Sequence, residues 1–220
     1  QMTQMPQLVA LFNGVGGGAA ALVAIVEYLN LGDTASTPVV IATVFTVIVG
    51  WVSFSGSIIT FLKLQELMTT RPVVFPGGRF VIAGTLVATL GTSVWVVIEL
   101  GTNPLLILAA LSLLFGVLFV LPVGGADVPI VISLLNAFTG LTVAASGYVL
   151  DSTLLIIAGT LVGASGTILT RMMAEAMGRS LFGTLFGAFT AKAQEAAGAA
   201  DERPVRSGSP DDVAILLNYA

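Results

Sequence analysis

The sequence predicts an all-α integral membrane protein, built as a bundle of six transmembrane helices. Hydrophobic residues make up 56% of the chain, charged residues 9%, and the mean hydropathy is +1.01. Soluble domains carry about 25% charged residues. Six apolar segments of about 18 to 25 residues follow one another, and each is long enough to cross the hydrocarbon core of a bilayer as a helix. Asp, Glu, Lys and Arg fall only at or beyond the ends of these segments.

Composition also excludes several kinds of function. The net charge of −4 is too small and of the wrong sign for binding nucleic acid. The chain has no Cys and no His, which removes disulfides, thiol catalysis, the commonest metal ligand and the side chain that titrates nearest neutral pH. Since no nucleophile lies beside a base, we expect no bond chemistry, metal site or cofactor site in this part of the protein.

The turns between most of the apolar segments are short, which favours antiparallel neighbours in a compact bundle. We predict one transmembrane domain over residues 1–180. The predicted helices span residues 8–29, 38–62, 80–98, 104–121, 128–150 and 153–173.

The first segment contains the glycine-rich run Asn13–Gly18. A nucleotide-binding interpretation needs a preceding strand and a soluble βαβ unit, which an apolar span does not supply. Gly14 and Gly18 instead form a G-x-x-x-G pair that permits close helix contact, and Asn13 can hydrogen-bond across that contact.

The second segment carries a small and polar stripe at helical spacing. One interpretation is packing, because Ser and Thr often bond their own i−4 carbonyl. The other is one wall of a hydrated proton path, with Ser53 and Ser57 as its candidate residues. The stripe consists of Thr43, Thr46, Gly50, Ser53, Ser57 and Thr60.

The third segment repeats the small residues of the first, at Gly84, Ala88, Gly91 and Thr92. The fourth is almost entirely apolar apart from Ser112 and Gly116, and we expect it to face lipid or to fill space.

The fifth segment is the one around which we expect the bundle to be arranged. It holds one carboxamide, Asn136, on a small polar face. A carboxamide in lipid must find a partner, so Asn136 either bonds a neighbouring helix or holds a water that conducts protons. The face consists of Ser133, Asn136, Gly140, Ala144 and Gly147.

The turn before this helix combines flexibility with a charge. Gly124 and Gly125 permit backbone movement, and Asp127 stands at the start of the helix. An acid there favours the helix dipole, but a hinged acidic turn can also sense a partner domain. We predict it as a coupling turn.

The sixth segment presents Gly159, Gly163 and Gly166 on one face, which predicts a groove for the fifth helix. Lys and Arg cluster after the second and sixth segments, so the positive-inside rule places these ends, the turn and the tail in the cytoplasm. Residues 181–210 are predicted as a cytoplasmic linker, and residues 211–220 as the start of a further domain.

Several short stretches, in this order and spacing, resemble one family across nearly the whole chain. The sequence resembles the membrane domain of the β subunit of proton-translocating nicotinamide nucleotide transhydrogenase. The stretches are residues 5–10, 54–57 with Lys63 and Leu64, 124–129, 133–136, 161–166 and 177–180.

The resemblance implies a chain that conducts protons while the complete enzyme transfers hydride from NADH to NADP+. It implies that the six helices are part of a larger transmembrane domain. The implied partners are an α subunit, an NADP(H)-binding domain after residue 220, membrane lipid and a second αβ unit in a homodimer. NAD(H) and NADP(H) would bind those other parts, in a bacterial inner membrane.

The resemblance also implies roles for particular residues. Asn136 matches an Asn of the proton path, Gly124–Asp127 match the turn that faces the NADP(H) domain, and the glycines of the sixth segment match a packing face. Two other interpretations stay open: half of a secondary transporter, which usually carries mid-membrane charges, and an inert anchor for a soluble domain.

Overall fold

The computed structural model describes residues 4–178 and 180, with only the backbone of Asp33. This part of the chain forms six α-helices. Short 3-10 turns at Gly32–Thr34 and Gly125–Asp127 accompany them. The helices are α1 Met5–Leu31, α2 Thr37–Leu64, α3 Gly78–Ile98, α4 Thr102–Val120, α5 Val128–Val149 and α6 Thr153–Ala176. The predicted linker and further domain, residues 181–220, lie outside the described residues.

The number and order of the helices agree with the sequence prediction, and their ends differ by a few residues. α1 begins at Met5 because Pro6 occupies its first turn, where a missing N–H costs nothing. α6 continues to Ala176, past the apolar run, and its last turns carry an exposed Arg171–Glu175 ion pair. Within the described residues all six helices are long and apolar enough to span a bilayer, so the chain is a multi-pass membrane protein.

α2 is the central helix of the bundle. It packs against α1 on one side, and against α4 and α5 on others, while α3 packs mainly against α4. α5 in turn lies between α2 and α6 and also contacts α1. The stripe predicted on α2 is therefore enclosed, and Thr43, Thr46, Ser53, Ser57 and Thr60 are all buried.

α1 and α2 approach each other closely at the glycines of α1. A Cβ added at Gly14 would lie 2.9 Å from the Ser57 Cβ, and one at Gly18 would lie 2.9 Å from the Phe54 ring. The predicted G-x-x-x-G contact is confirmed, with α2 as the partner.

α5 and α6 make an equally close contact. A Cβ at Gly159 would lie 2.3 Å from Ala144 N, and one at Gly140 would lie 2.5 Å from Gly163 N. Gly166 similarly faces Ala137. The groove predicted on the sixth helix is present, and the fifth helix occupies it.

Of the two alternatives for the fourth segment, lipid-facing or space-filling, α4 follows the second. Ser112 and Leu108 are buried, and Gly116 approaches Val52 so closely that an added Cβ would be 2.6 Å from its carbonyl oxygen. The helix fills the space between α2 and α3. Gly84 and Gly91 of α3 have nothing within 4 Å of an added Cβ, so this small face makes no close contact in the described part of the chain.

Several connections meet at the end of the bundle where α2 ends, which we call the basic end after Lys63, Arg71 and Arg79. In the loop of residues 65–77, Val73 N donates to Leu121 O at 3.2 Å and Thr70 O accepts from Gly125 N at 2.9 Å. These bonds position the turn Gly124–Asp127 against the α2–α3 loop.

Two buried apolar clusters divide the interior. The first, away from the basic end, joins α1, α2, α3 and α4, and the second, nearer the basic end, joins α2, α4 and α5. The first cluster contains Tyr28, Val40, Val44, Val47, Val96, Leu105, Leu108 and Ala109. The second contains Ile59, Val120, Val123, Val131 and Leu135.

Candidate functional site

A polar cluster lies where α1, α2 and α5 meet, and it consists of Asn13, Ser53, Ser57 and Thr139. Asn13 Nδ2 donates to Ser57 Oγ at 3.2 Å, which joins α1 to α2. Ser53 Oγ lies 2.6 Å from Thr139 Oγ1 and 3.0 Å from Leu135 O, which joins α2 to α5. Thr139 Oγ1 lies 3.3 Å from Asn13 O, which closes the cluster onto α1.

The hydroxyl hydrogens of this cluster admit more than one arrangement. Ser53 and Thr139 each have one hydrogen to donate, but each has two acceptors within reach. If Ser53 donates to Leu135 O, Thr139 can donate either to Ser53 or to Asn13 O. The direction of these bonds can therefore reverse without moving a heavy atom.

One acceptor in the cluster has no partner in the described part of the chain. Asn13 is 8% exposed, and its Oδ1 accepts no hydrogen bond there. The only hydrogen bond of Ser57 in that part uses its oxygen as acceptor, so its hydroxyl hydrogen is also unused. A buried acceptor left unpaired costs about 1–3 kcal/mol. The chemistry at this point suits a water that accepts from Ser57 and donates to Asn13.

The polar cluster lies between the two apolar clusters. Along α2, Val47 belongs to the first, Ser53 and Ser57 to the polar cluster, and Ile59 to the second. On α5, Leu135 of the second apolar cluster is 0% exposed and comes one turn before Thr139. A buried apolar cluster therefore lies on either side of the polar cluster along the bundle.

Asn136 lies beside the polar cluster rather than within it. Its side chain is half-buried and makes no hydrogen bond to the described residues. Thr139 and Ser133 stand three residues to either side, the spacing at which helical side chains are neighbours. Asn136 thus lies between Thr139, whose hydroxyl faces α1 and α2, and Ser133, whose hydroxyl faces α6.

Ser133 belongs to a second polar contact, between α5 and α6. Its Oγ accepts from Thr170 Oγ1 at 2.9 Å, and Thr170 also lies 2.7 Å from its own i−4 carbonyl, Gly166 O. Both hydroxyls are buried. This contact continues the line of polar groups from α2 across α5 to α6.

The predicted coupling turn lies at the basic end. A Cβ added at Gly124 would lie 3.4 Å from Pro72, Gly125 N donates to Thr70 O, and Asp127 precedes the first turn of α5. Among the described residues no group of three or more acidic, Cys or His side chains lies close enough to hold a metal ion.

Comparison with known proteins decides the family. The family model described as "NAD(P) transhydrogenase beta subunit" matches residues 1–220. This chain belongs to the NAD(P) transhydrogenase β-subunit family. Two curated relatives named NAD(P) transhydrogenase subunit beta, both from Rhodospirillum rubrum and one assigned to a particular strain, are 38% identical over 228 residues. The match covers 100% of this chain and 49% of each relative, so the chain spans about half the length of those β subunits.

Within this β-subunit chain the structure distributes the predicted site residues over three places. Ser53 and Ser57 lie in the polar cluster, Ser133 lies at the α5–α6 contact, and Asn136 lies between them. Two Thr residues of the α2 stripe behave as the packing interpretation describes, since Thr46 and Thr60 bond their own i−4 carbonyls at 2.8 Å. The third, Thr43, has a buried hydroxyl with no hydrogen-bond partner among the described residues.

Sequence reasoning does not predict the contacts of two residues of this β-subunit chain and assigns a third only to packing. Thr139 was not singled out, although it follows Asn136 at helical spacing. From the sequence, Lys63 contributes only to the orientation of the helices and to the family resemblance, yet its side chain is buried. The sequence predicts Asn13 as a helix contact, whereas its Oδ1 makes it a candidate to hold water. A carboxamide inside an apolar span was the signal available for Asn13.

Proposed function

We propose that this chain is the proton-conducting membrane part of a transhydrogenase that couples hydride transfer from NADH to NADP+ with proton translocation. The observation that carries the proposal is a buried carboxamide oxygen, Asn13 Oδ1, with no partner in the described part of the chain and beside an unused hydroxyl hydrogen. Membership of the β-subunit family supports the enzyme, and the polar cluster supports the route.

Protons pass along this route by way of water and hydroxyl groups. The six helices carry no His, and Lys63, Arg171 and the acidic residues lie in their outer turns or beyond them, so no built-in acid or base serves at mid-membrane. A buried water with about two to four polar partners is stable in a protein. Reversal of the Ser53–Thr139 hydrogen bond resets the direction of donation after each proton has passed.

The route crosses α5 at Asn136. The polar cluster supplies donors and acceptors on the α2 side, and Ser133 with Thr170 supplies them on the α6 side. Asn136 bridges the two through water, because its carboxamide offers both donors and an acceptor. This is a more specific role than that of a packing residue, for which a bond to a neighbouring helix would suffice.

The coupling turn Gly124–Asp127 connects this route to nucleotide binding. We propose that the basic end faces the cytoplasm of a bacterium, where an NADP(H)-binding domain follows residue 220 and an α subunit binds NAD(H). The nucleotide state then decides toward which side the water route opens. The complete αβ unit pairs as a homodimer in the inner membrane.

Replacement of Asn136 by Leu in the complete enzyme tests the proposal. Leu has the same branched shape and number of side-chain heavy atoms but no donor or acceptor, so we expect proton translocation in vesicles to be lost while the assembled protein is present at normal amounts. The matched control is Thr92→Val, because Thr92 is half-buried on α3 and bonds its own i−4 carbonyl. We expect that variant to pump normally.

Full pumping by Asn136→Leu would contradict the proposed route. An inert anchor would tolerate both replacements equally. Movement of a solute other than protons, dependent on Asn136, would favour a transporter instead.

A further inference from the structure

The side chain of Lys63 is buried at the basic end of α2. It is 1% exposed, although it ends in a charged group. Its Nζ donates to Val120 O at 3.1 Å, Leu121 O at 2.6 Å and Val123 O at 2.7 Å. All three hydrogens of the ammonium are therefore directed at one short piece of backbone.

These carbonyls have a physical reason to attract a cation. Val120 and Leu121 end α4, and the last carbonyls of a helix have no partner within it. They also form the negative end of the helix dipole. Val120 O and Leu121 O also accept from Val123 N and Val73 N, so removal of the cation would leave Val123 O as the one acceptor of the three without another donor among the described residues, at a cost of about 1–3 kcal/mol.

The same piece of chain is attached a second time. Leu121 O accepts from Val73 N, and four residues on, Gly125 N donates to Thr70 O. Residues 121–127 are thus bonded both to the end of α2 and to the loop that follows it. This segment contains the coupling turn and leads directly into α5.

Lys63 also stands on the face of α2 that bears the polar cluster. Thr60, Ser57 and Ser53 precede it at spacings of three and four residues, and all are buried. A displacement of the turn would therefore reach Ser57 through one helix, about two turns away.

We propose that Lys63 is a positioning residue that fixes the turn Gly124–Asp127 to α2, so that the turn and the basic end of α2 move as one body. This inference rests on the proposed function, because the movement that Lys63 transmits is the one that couples the nucleotide state to the proton route. Lys63 itself carries no proton along the route.

The first test replaces Lys63 in the complete enzyme in vesicles. In a coupled enzyme, an imposed proton gradient drives hydride transfer. We expect Lys63→Met to reduce the stimulation of hydride transfer by the gradient about tenfold, which lies within the range that typical coupling energies produce. Hydride transfer without a gradient should stay near the unaltered rate. Lys63→Arg should retain most of the response, because a guanidinium can donate to the same carbonyls. The control is Arg171→Met, an exposed cation on α6.

The second test adds a covalent tie between the turn and the loop that directly follows α2. A Cβ at Gly125 would lie 3.4 Å from Thr70 Cβ, close to the separation of about 3.5–4.5 Å found in disulfides. The chain has no Cys of its own, so Thr70→Cys with Gly125→Cys adds one defined crosslink, with each single replacement as its control. In the Lys63→Met enzyme we expect oxidation to restore the gradient response and dithiothreitol to remove it again.

The crosslink also tests whether the turn and the basic end of α2 move together if the Lys63→Met enzyme fails to assemble. With Lys63 in place, we expect the oxidised enzyme to work normally, because the joined parts already move together. Loss of coupled turnover that dithiothreitol reverses would overturn the inference, as would a full gradient response in assembled Lys63→Met. An unaltered enzyme without any response to the gradient would instead overturn the proposed function.

Discussion

At the scale of single residues, the bond between Asn13 and Ser57 is the point where α1 and α2 share polar groups. Replacing both by Ala in a double-mutant cycle should show a coupling of about 0.6 kcal/mol, the average measured for hydrogen bonds between transmembrane helices. Unfolding of the purified protein in mixed micelles measures it. The value is small because the partners also find other bonds when the helices separate.

Thr46 supplies the matched comparison for that cycle. Its hydroxyl bonds Ala42 O within α2, so Asn13→Ala and Thr46→Val should act additively. Coupling as large for this pair as for Asn13 and Ser57 would show that the measured term does not come from the bond.

Residue roles could be anticipated only where the sequence marks them. A carboxamide in an apolar span is conspicuous, and Asn136 and Asn13 were both noticed for that reason. Thr139 was not, because Thr is common in membrane helices and its contacts lie in helices distant along the chain. Lys63 stands at a helix end, where a lysine ordinarily reaches the interface, and its burial depends on the end of α4, which no local pattern shows.

At the scale of helices, the glycines of α6 set how closely it approaches α5. Gly159→Ala should destabilise the bundle by about 1–3 kcal/mol, because the added methyl meets backbone rather than a flexible side chain. The fall in the free energy of unfolding measures this effect.

Gly84→Ala on α3 is the control for that replacement. Nothing lies within 4 Å of the added methyl, and Ala favours helix over Gly by about 1 kcal/mol. We expect the stability to be unchanged or slightly raised. An equal loss in both variants would contradict the close α5–α6 contact.

The contrast between α3 and α6 also shows what helix patterns do and do not predict. Length and apolarity predicted all six helices. Small residues predicted the α5–α6 contact and a close contact of α1, but not that its partner is α2. The same kind of face on α3 made no close contact in the described part of the chain. Small residues permit close approach, but the partner depends on how the whole bundle is arranged.

At the scale of the whole molecule, the two apolar clusters should keep the resting protein closed to protons. Leu135→Asn places a carboxamide of similar size in the second cluster, where Leu135 is 0% exposed. Because polar groups hydrate an apolar constriction, we expect the passive proton leak of vesicles to rise. Fluorescence of a trapped pH dye measures the leak.

Leu135→Met is the matched variant, since it conserves volume and apolarity. Its leak should equal that of the unaltered protein. A leak raised to the same degree in both variants would attribute the effect to loosened packing rather than to hydration.

The central claim is that protons cross this bundle on water held by uncharged side chains. A map of the complete enzyme at a resolution that shows ordered water tests it most directly. We expect a water within hydrogen-bonding distance of Asn13 Oδ1 and Ser57 Oγ, and further water between Thr139 and Asn136. An interior filled by side chains around both carboxamides, without water in any nucleotide state, would contradict the claim.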